Sequence, residues 1–142
     1  GYLSQHAFEM STQFTVIEEF RDKISVSEGE ARHILAKFLF YGQDVFKKMN
    51  QLSGGERMRL RWAQLVHLNH NVLILDEPTN HLDIDSKEMI EEALSQFKGT
   101  IIAVSHDRYF LDKFFDTTYL LKNKHLVKYL GNYSYIRSKT AQ

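Results

Sequence analysis

Four apolar residues near the middle of the chain are followed at once by two acids and the only proline of the sequence. The segment reads Val72-Leu73-Ile74-Leu75-Asp76-Glu77-Pro78. A short, uninterrupted apolar run rich in branched residues is typical of a strand that is buried on both faces of a parallel sheet. Pro78 has no backbone N–H and therefore ends the strand. The segment predicts two carboxylates at the carboxyl end of a core strand, where α/β sheets bind their ligands.

Apolar patterns predict helices and strands on both sides of this segment. Helical spacing extends over Glu28–Phe40 and over Ser53–Asn69, and Ser53 is placed to cap the second helix. Further elements are expected as a helix capped by Asp85 or Ser86 and ending at Phe97, a second buried strand at Thr100–Val104, a helix at Asp107–Phe115, a hairpin over Tyr119–Tyr129 and a helical turn at Tyr133–Ser138. Strand–helix–strand order in the middle predicts an α/β fold with a parallel sheet core. Because the sequence contains no linker rich in serine or glycine, the chain is interpreted as one continuous unit.

Composition excludes several classes of protein. The 142 residues contain no cysteine, which removes disulfide frameworks, zinc ribbons and thiol nucleophiles. The 18 basic and 18 acidic residues balance, so bulk charge alone does not hold the chain on nucleic acid or membrane. No apolar run reaches the ~18 residues of a membrane span, and the N-terminus lacks the pattern of a secretory signal. We therefore expect a soluble protein of a reducing compartment, the cytoplasm.

The two acids and one histidine are suited to nucleotide chemistry. Asp76 is placed to hold Mg²⁺, usually through water, and Glu77 can polarise a water aimed at a γ-phosphate. His106 follows the second predicted strand and emerges at the same sheet edge as the acids if the two strands are parallel. There an imidazole can donate a hydrogen bond to a γ-phosphate oxygen. The structural alternative for Asp76 and Glu77 is an acidic turn after a core strand.

A glycine pair opens the second predicted helix, in the segment Leu52-Ser53-Gly54-Gly55-Glu56. Two glycines at a helix start allow backbone N–H groups to approach a phosphate closely, with the positive end of the helix dipole behind them. The Ser53 hydroxyl adds a further donor. Taken alone, Ser-Gly-Gly is also an ordinary turn.

The order of these segments resembles that of an ATP-binding cassette (ABC) nucleotide-binding domain. Leu52–Glu56 matches the ABC signature, and Val72–Glu77 matches Walker B with its catalytic glutamate. Thr79–Asp83 is similar to the D-loop, His106 to the switch histidine, and Gln5 to the Q-loop glutamine. The resemblance implies a partial ABC ATPase domain, with a helical signature subdomain at about 6–70 and the Walker B, D-loop, switch and C-terminal part of the core at 71–142.

Among ABC cassettes, the amino-acid sequences of Glu77–Asp83 and Ser105–Leu111 are similar to those of the ABC-F subfamily. Such proteins carry two cassettes on one chain and no membrane domain. They act at the ribosome in translation, and some confer antibiotic resistance. Arg32–Leu35 and Leu82–Ser86 resemble the second cassette more than the first.

The resemblance assigns a role to each motif in an ATP- and Mg²⁺-dependent hydrolysis site. Glu77 and His106 would be catalytic, and Asp76 and Gln5 would serve the metal, all on a nucleotide bound by their own cassette. Ser53, Gly54, Gly55 and Glu56 would cover the nucleotide of a second cassette in a head-to-tail dimer. ATP, Mg²⁺ and that second cassette are therefore the implied cofactors and partner.

The chain lacks the G-x-x-x-x-G-K-[ST] sequence of a phosphate-binding P-loop. Its seven glycines stand at positions 1, 29, 42, 54, 55, 99 and 131, and none precedes Lys-Ser or Lys-Thr. In the family, this Walker A motif precedes the Q-loop glutamine, so the sequence is interpreted as a fragment. Since most ATP-binding energy in such sites comes from the P-loop and the metal, we expect the chain alone not to hydrolyse ATP.

Two other functions stay open. The chain could belong to the ATPase subunit of a membrane transporter, or it could be a non-catalytic cassette half that acts as a binding or dimerisation module. Residues 117–142 carry five bases and no acid, with Tyr129, Tyr133 and Tyr135 among them. This composition suits either contact with RNA phosphates and bases or a solvated surface with tyrosines packed on a sheet edge.

Overall fold

The computed structural model describes residues 1–4 and 13–140. The strands in these ranges are β1 (Tyr2–Leu3), β2 (Val72–Asp76), β3 (Thr100–Val104), β4 (Thr117–Lys122) and β5 (His125–Leu130). The helices are α1 (Val16–Lys23), α2 (Glu28–Lys37), α3 (Gly54–His67), α4 (Ile84–Ser95), α5 (Arg108–Phe114) and α6 (Tyr133–Thr140). Short 3-10 helices at Gly42–Phe46 and Met49–Gln51 separate α2 from α3. No helix in the described ranges is long and apolar enough to cross a bilayer.

The chain divides into two compact units, Gly1–Ala103 and Val104–Gln142. The interpretation as one continuous unit rests on the absence of a linker rich in glycine or serine, and it stays a prediction. The boundary falls at the last residue of β3, where composition gives no signal. The division into subdomains at about 6–70 and 71–142 stays a prediction.

The first unit combines a small sheet with four helices. Its strand order is β1-β2-β3, so β2 is central, and β1 runs parallel to β2 with Tyr2 opposite Ile74. Helix α1 packs against α2 and α3, and α3 packs against α4. The largest fully buried side chains of this unit include Trp62, Phe20 and Phe40. The parallel pairing confirms the predicted partial α/β fold.

One face of the central strand is open to solvent. Leu73 and Leu75 are fully buried, whereas Val72 is 40% and Ile74 is 45% exposed. Successive side chains of a strand point to opposite faces, so the described helices cover only the face of Leu73 and Leu75. The prediction that this strand is buried on both faces is therefore wrong for the described residues, although its position is confirmed. The predicted burial of β3 is wrong for the same reason, since Ile102 is 54% and Val104 is 63% exposed to solvent in the described part of the chain.

The first helix, α1, is absent from the elements predicted by apolar spacing. Thr15 and Glu18 form a capping box at its start: the Thr15 N–H donates to Glu18 Oε2 at 2.7 Å, and the Glu18 N–H donates to Thr15 Oγ1 at 3.4 Å. The same arrangement begins α2, where Ser27 and Glu30 cap each other. Thr-x-x-Glu before an apolar stripe is a readable helix start, and it is the local signal for α1.

The cap of α4 differs from the prediction. Asp83 caps this helix, and its Oδ1 accepts the Ser86 N–H at 2.8 Å. Neither Asp85 nor Ser86 is the cap, because Asp85 lies inside the first turn and Ser86 provides the N–H that is capped. Helix α4 ends at Ser95, two residues before the predicted Phe97.

The second unit contains a hairpin and two helices. Strands β4 and β5 are antiparallel, with Tyr119 opposite Lys128 and Lys122 opposite His125. Helices α5 and α6 pack together, and the Ser134 N–H and hydroxyl both donate to the Asp112 carboxylate. The hairpin and the final helix confirm the elements predicted for this region.

Candidate functional site

Ser53 and Glu56 hold each other at the start of α3. The Ser53 N–H donates to Glu56 Oε2 at 2.8 Å, and the Glu56 N–H donates to Ser53 Oγ at 3.2 Å. This reciprocal pair uses two of the backbone donors that a helix start would otherwise leave unsatisfied. The prediction that Ser53 caps this helix is confirmed, and the cap fixes the direction in which the helix N-terminus faces.

The two glycines between these residues have free space around them. A Cβ atom built on Gly54 or Gly55 would meet no atom of residues 1–4 or 13–140 within 4 Å, and neither glycine has a positive φ. Glycine inside a helix is less favourable than alanine by up to about 1 kcal/mol. The described residues therefore give no steric or conformational reason for glycine at these positions, while the open space suits the close approach of a ligand.

Glu56 also belongs to an ion-pair cluster. Lys47 Nζ lies 3.0 Å from Glu56 Oε1 and 3.1 Å from Asp44 Oδ1. Burial alone would raise the pKa of Glu56, but hydrogen bonds from Ser53 and Lys47 outweigh this effect and hold the pKa below its ordinary value. Glu56 is thus a charged anchor of the helix start. Sequence patterns do not point to Lys47 and Asp44, because an ion pair across an irregular turn follows no periodic pattern.

Asp76 and Glu77 stand where the sequence predicts them, at the carboxyl end of β2. Asp76 is the last residue of the strand and is half-buried. Glu77 has a φ of +49°, in the left-handed region, and its carbonyl accepts the Asn80 N–H at 3.2 Å. This conformation costs a residue with a side chain about 1–2 kcal/mol. Strained backbone of this kind is found preferentially at functional sites, so it adds support to the assignment of Glu77.

A tight turn follows the two carboxylates. Pro78 and Thr79 are buried, and His81 has a φ of +59°. The turn delivers the chain to Asp83, and hydrogen bonds from Ser86 lower the pKa of the Asp83 carboxyl. The turn thus runs from two buried residues to a charged helix cap.

His106 lies in the second unit, between β3 and α5, and its side chain is exposed. The next residue, Asp107, caps α5 by accepting the Phe110 N–H at 3.1 Å, and the Asp107 N–H donates to Ser105 Oγ at 3.0 Å. These contacts fix the backbone on the C-terminal side of His106. Gln5 lies outside the described residues.

The first unit thus contains two candidate sets of residues, the helix start Ser53–Glu56 and the strand end Asp76–Glu77. Among the residues that the structure describes, no group of three or more His, Cys, Asp or Glu could hold a metal ion. Asp76 therefore fits Mg²⁺ only as one ligand, with the remaining oxygens supplied by phosphate, water or further residues.

A cavity of about 770 Å³ lies apart from both sets, between α4 and the C-terminal ends of α2 and α3. Its lining includes Tyr41, His67, Glu88 and Phe97. None of the predicted site residues that the structure describes lines it, so its size alone does not make it the candidate site.

Comparison with known proteins gives one family and several relatives. Residues 1–80 match the family described as ABC transporter. The Bacillus subtilis protein YdiF is 44% identical over 143 residues, which cover this whole chain and 22% of YdiF. The ribosome protection protein VmlR of the same organism is 36% identical over 132 residues, covering 93% of this chain and 24% of VmlR.

The chain is also similar to a plant protein and to a solved structure. ABC transporter F family member 2 of Arabidopsis thaliana is 40% identical over 113 residues, covering 80% of this chain and 17% of that protein. The chain spans a quarter or less of the length of these three relatives. The dimeric post-hydrolysis structure of the ATP-binding cassette MJ0796, bound to ADP and Pi, aligns with a TM-score of 0.72 at 23% identity, covering 92% of this chain and 62% of that one. This likeness concerns the fold.

Proposed function

The chain belongs to the ATP-binding cassette family, in its ABC-F branch, and from that premise we propose that it supplies the signature and Walker B portions of an ATP-hydrolysing cassette. The observation that carries the proposal is the free space at Gly54 and Gly55, on a capped helix start that does not itself need glycine. The relatives support a longer protein, because each is at least four times the length of the aligned segment.

The helix start is suited to contact a phosphate of a nucleotide held by a second cassette. Ser53 Oγ accepts the Glu56 N–H, which leaves its own O–H available as a donor. The N–H groups of Gly54 and Gly55 belong to the first turn, where a helix has no internal acceptor for them. Together with the helix dipole, these donors favour an anion at this position. The dimeric state of the MJ0796 structure is compatible with such a partner.

The strand end would act on the nucleotide of its own cassette. Glu77 would accept the proton of the attacking water on a carboxylate oxygen, and the left-handed backbone at this residue supports a functional role. Asp76 would give one oxygen to Mg²⁺, and His106 and Gln5 would orient the γ-phosphate and the water. Mg²⁺, when bound, neutralises charge on the phosphate oxygens.

A ribosomal role for the longer protein rests on the name of VmlR and on the charge of the second unit. VmlR is a ribosome protection protein. Residues 117–140 carry five cations and no acid, and they form a hairpin followed by a helix. We infer that this basic hairpin is the part of the chain that faces RNA. A soluble, cytoplasmic protein without a membrane domain fits this role.

Substitution of the two glycines tests the proposal. Gly55→Ala should leave this chain as stable as before, or slightly more stable, because the Cβ meets free space and alanine favours the helix. In the whole protein that carries this chain, the same substitution should lower ATP hydrolysis by about tenfold or more, because the methyl group obstructs the approach of the phosphate.

Gly29→Ala is the matched control, since Gly29 lies in α2 and no atom of the described part of the chain is within 4 Å of an added Cβ there. Equal ATPase rates for the Gly55→Ala, Gly29→Ala and wild-type proteins would refute the role of the helix start. The chain alone should show no measurable heat on titration with Mg–ATP, whereas a micromolar dissociation constant would show that it holds nucleotide without a P-loop.

A further inference from the structure

Residues 47–49 connect two parts of the first unit that are far apart in sequence. The Val16 N–H donates to the Lys47 carbonyl at 3.0 Å, and the Met49 N–H donates to the Phe14 carbonyl at 2.9 Å. Thr15 and Lys48 form an antiparallel bridge between these two bonds. The backbone at Lys47 is therefore fixed to the start of α1.

The side chain of Lys47 reaches in the other direction, to the start of α3. Its ammonium group lies 3.0 Å from Glu56 Oε1, and Glu56 Oε2 accepts the Ser53 N–H at 2.8 Å. The same ammonium lies 3.1 Å from Asp44 Oδ1, and Asp44 Oδ2 accepts the Tyr41 N–H at 3.1 Å. Each carboxylate thus uses one oxygen for a backbone N–H and the other for Lys47.

We propose that Lys47 is a positioning residue that joins the start of the signature helix to the chain at Phe14–Val16, so that the two move as one body. The backbone of Lys47 holds one side of this joint, and its ammonium group holds the other. The inference rests on the proposed function, because it gives this joint the task of setting where Ser53, Gly54 and Gly55 stand toward a nucleotide.

The geometry favours this role over that of an ordinary surface ion pair. The Lys47 side chain is 42% exposed and that of Glu56 is 20% exposed, so the pair alone contributes modestly to the free energy of unfolding. The ammonium group has three donors, and two of them are used on carboxylates that each also bind a backbone N–H. Loss of Lys47 therefore releases the start of α3 more than it destabilises the fold.

Hydrogen exchange tests the joint without reference to ATP. In the whole protein that carries this chain, Lys47→Met should speed exchange by about threefold in a peptide covering residues 50–58. A peptide covering residues 13–20 should change little, because the backbone bonds to residues 47 and 49 remain in the variant. Lys47→Arg should restore protection, because its guanidinium also donates to two carboxylates. Lys98→Met, at an exposed position between α4 and β3, is the control and should change neither peptide. Unchanged exchange in the 50–58 peptide, or an equal increase in both peptides, would overturn the inference.

ATP hydrolysis tests what the joint is for. Lys47→Met should lower kcat with little change in KM, since Lys47 is not expected to touch the nucleotide, and Lys47→Arg should recover most of the rate. An unchanged kcat alongside faster exchange in the 50–58 peptide would show a joint without a catalytic role and would overturn the positioning assignment. If the wild-type protein hydrolyses no ATP, the proposed function fails, while the exchange experiment still decides whether the joint exists.

Discussion

Asp112 and Ser134 hold the two helices of the second unit together. The Ser134 N–H donates to Asp112 Oδ1 at 2.9 Å, and the Ser134 hydroxyl donates to Asp112 Oδ2. Both carboxylate oxygens on α5 are thus used by one residue at the start of α6. A carboxylate that accepts two hydrogen bonds is favoured in its charged form, so this contact depends on pH.

The stability of the α5–α6 contact should fall in acid. The Ser134 hydroxyl and N–H lower the pKa of Asp112 below its ordinary value. The carboxylate therefore contributes stability that is fully present above the ordinary pKa of about 4 and is lost as pH falls through the lower, folded pKa. Asp112→Asn should flatten the dependence of unfolding free energy on pH below about 5, measured by urea denaturation at several pH values. If the unfolding free energy of the variant falls with acid as steeply as that of the wild type, the stabilising role of the Asp112 carboxylate is contradicted.

The cap of α3 gives a prediction about stability. Ser53→Ala removes the acceptor of the Glu56 N–H and should cost about 1 kcal/mol of unfolding free energy. Ser53→Asp keeps an acceptor at this position and should retain most of that energy. Urea denaturation of the three proteins measures the difference. Equal midpoints for the alanine variant and the wild type would show that the reciprocal pair with Glu56 does not stabilise the helix.

Gly99 should not tolerate a side chain. A Cβ atom at this position would lie 2.2 Å from the Asn71 carbonyl oxygen and 2.6 Å from Phe97 Cζ. The same carbonyl accepts the Thr100 N–H at 2.9 Å, so it cannot move without breaking a hydrogen bond at the start of β3. Gly99→Ala should destabilise the chain by about 1–3 kcal/mol, measured by thermal or urea denaturation. Gly29→Ala, which meets no atom, provides the comparison, and equal stability of the two variants would contradict this packing.

Local sequence patterns predict most of the elements, because helix caps and apolar periodicity are local signals. The strand at Thr100–Val104 has the predicted bounds in the structure, and Ser53 caps its helix as predicted. Asp83 precedes α4 and Asp85 lies in its first turn, and a sequence pattern alone does not tell which of the two caps the helix. Only geometry decides which carboxylate reaches the Ser86 N–H.

Features that depend on tertiary contacts cannot be predicted from local sequence patterns. Lys47 reaches Glu56 across a turn without periodicity, and the exposure of Ile74 depends on which elements cover the sheet. The left-handed backbone of Glu77 has no sequence signal either, since a glutamate rarely adopts it. The positions of Asp76 and Glu77 are nevertheless readable, because an apolar run that ends in two acids and a proline indicates both the strand and its end.

The basic hairpin should bind single-stranded RNA through charge and stacking. Tyr119 is 56% exposed and lies opposite Lys128 in the β4–β5 register, so a base stacked on the ring would place its phosphate near an ammonium group. Replacing Lys122, Lys124 and Lys128 by Gln should weaken binding of a fluorescent oligouridine in anisotropy titrations. The slope of log K against log salt should fall by about 0.7 for each phosphate that the variant no longer neutralises. Gln at Lys87 and Lys98, in the first unit, is the control, and equally weakened binding by both variants would point to nonspecific charge.

Glu77 should be required for hydrolysis but not for nucleotide binding. Glu77→Gln keeps the size and the hydrogen-bonding shape of the side chain but removes the group that accepts a proton from water. In the whole protein that carries this chain, the substitution should reduce the ATPase rate by about 10²–10⁴-fold, and ATP should stay bound to the closed pair of cassettes, measured as nucleotide that the protein retains through gel filtration. Glu88→Gln, on the exposed side of α4, is the matched control and should hydrolyse ATP at the wild-type rate. Because the backbone strain at Glu77 remains in the variant, a loss of rate there reports the carboxylate itself. A rate near wild type for Glu77→Gln would remove this residue from the chemistry and leave the strand end with a structural role.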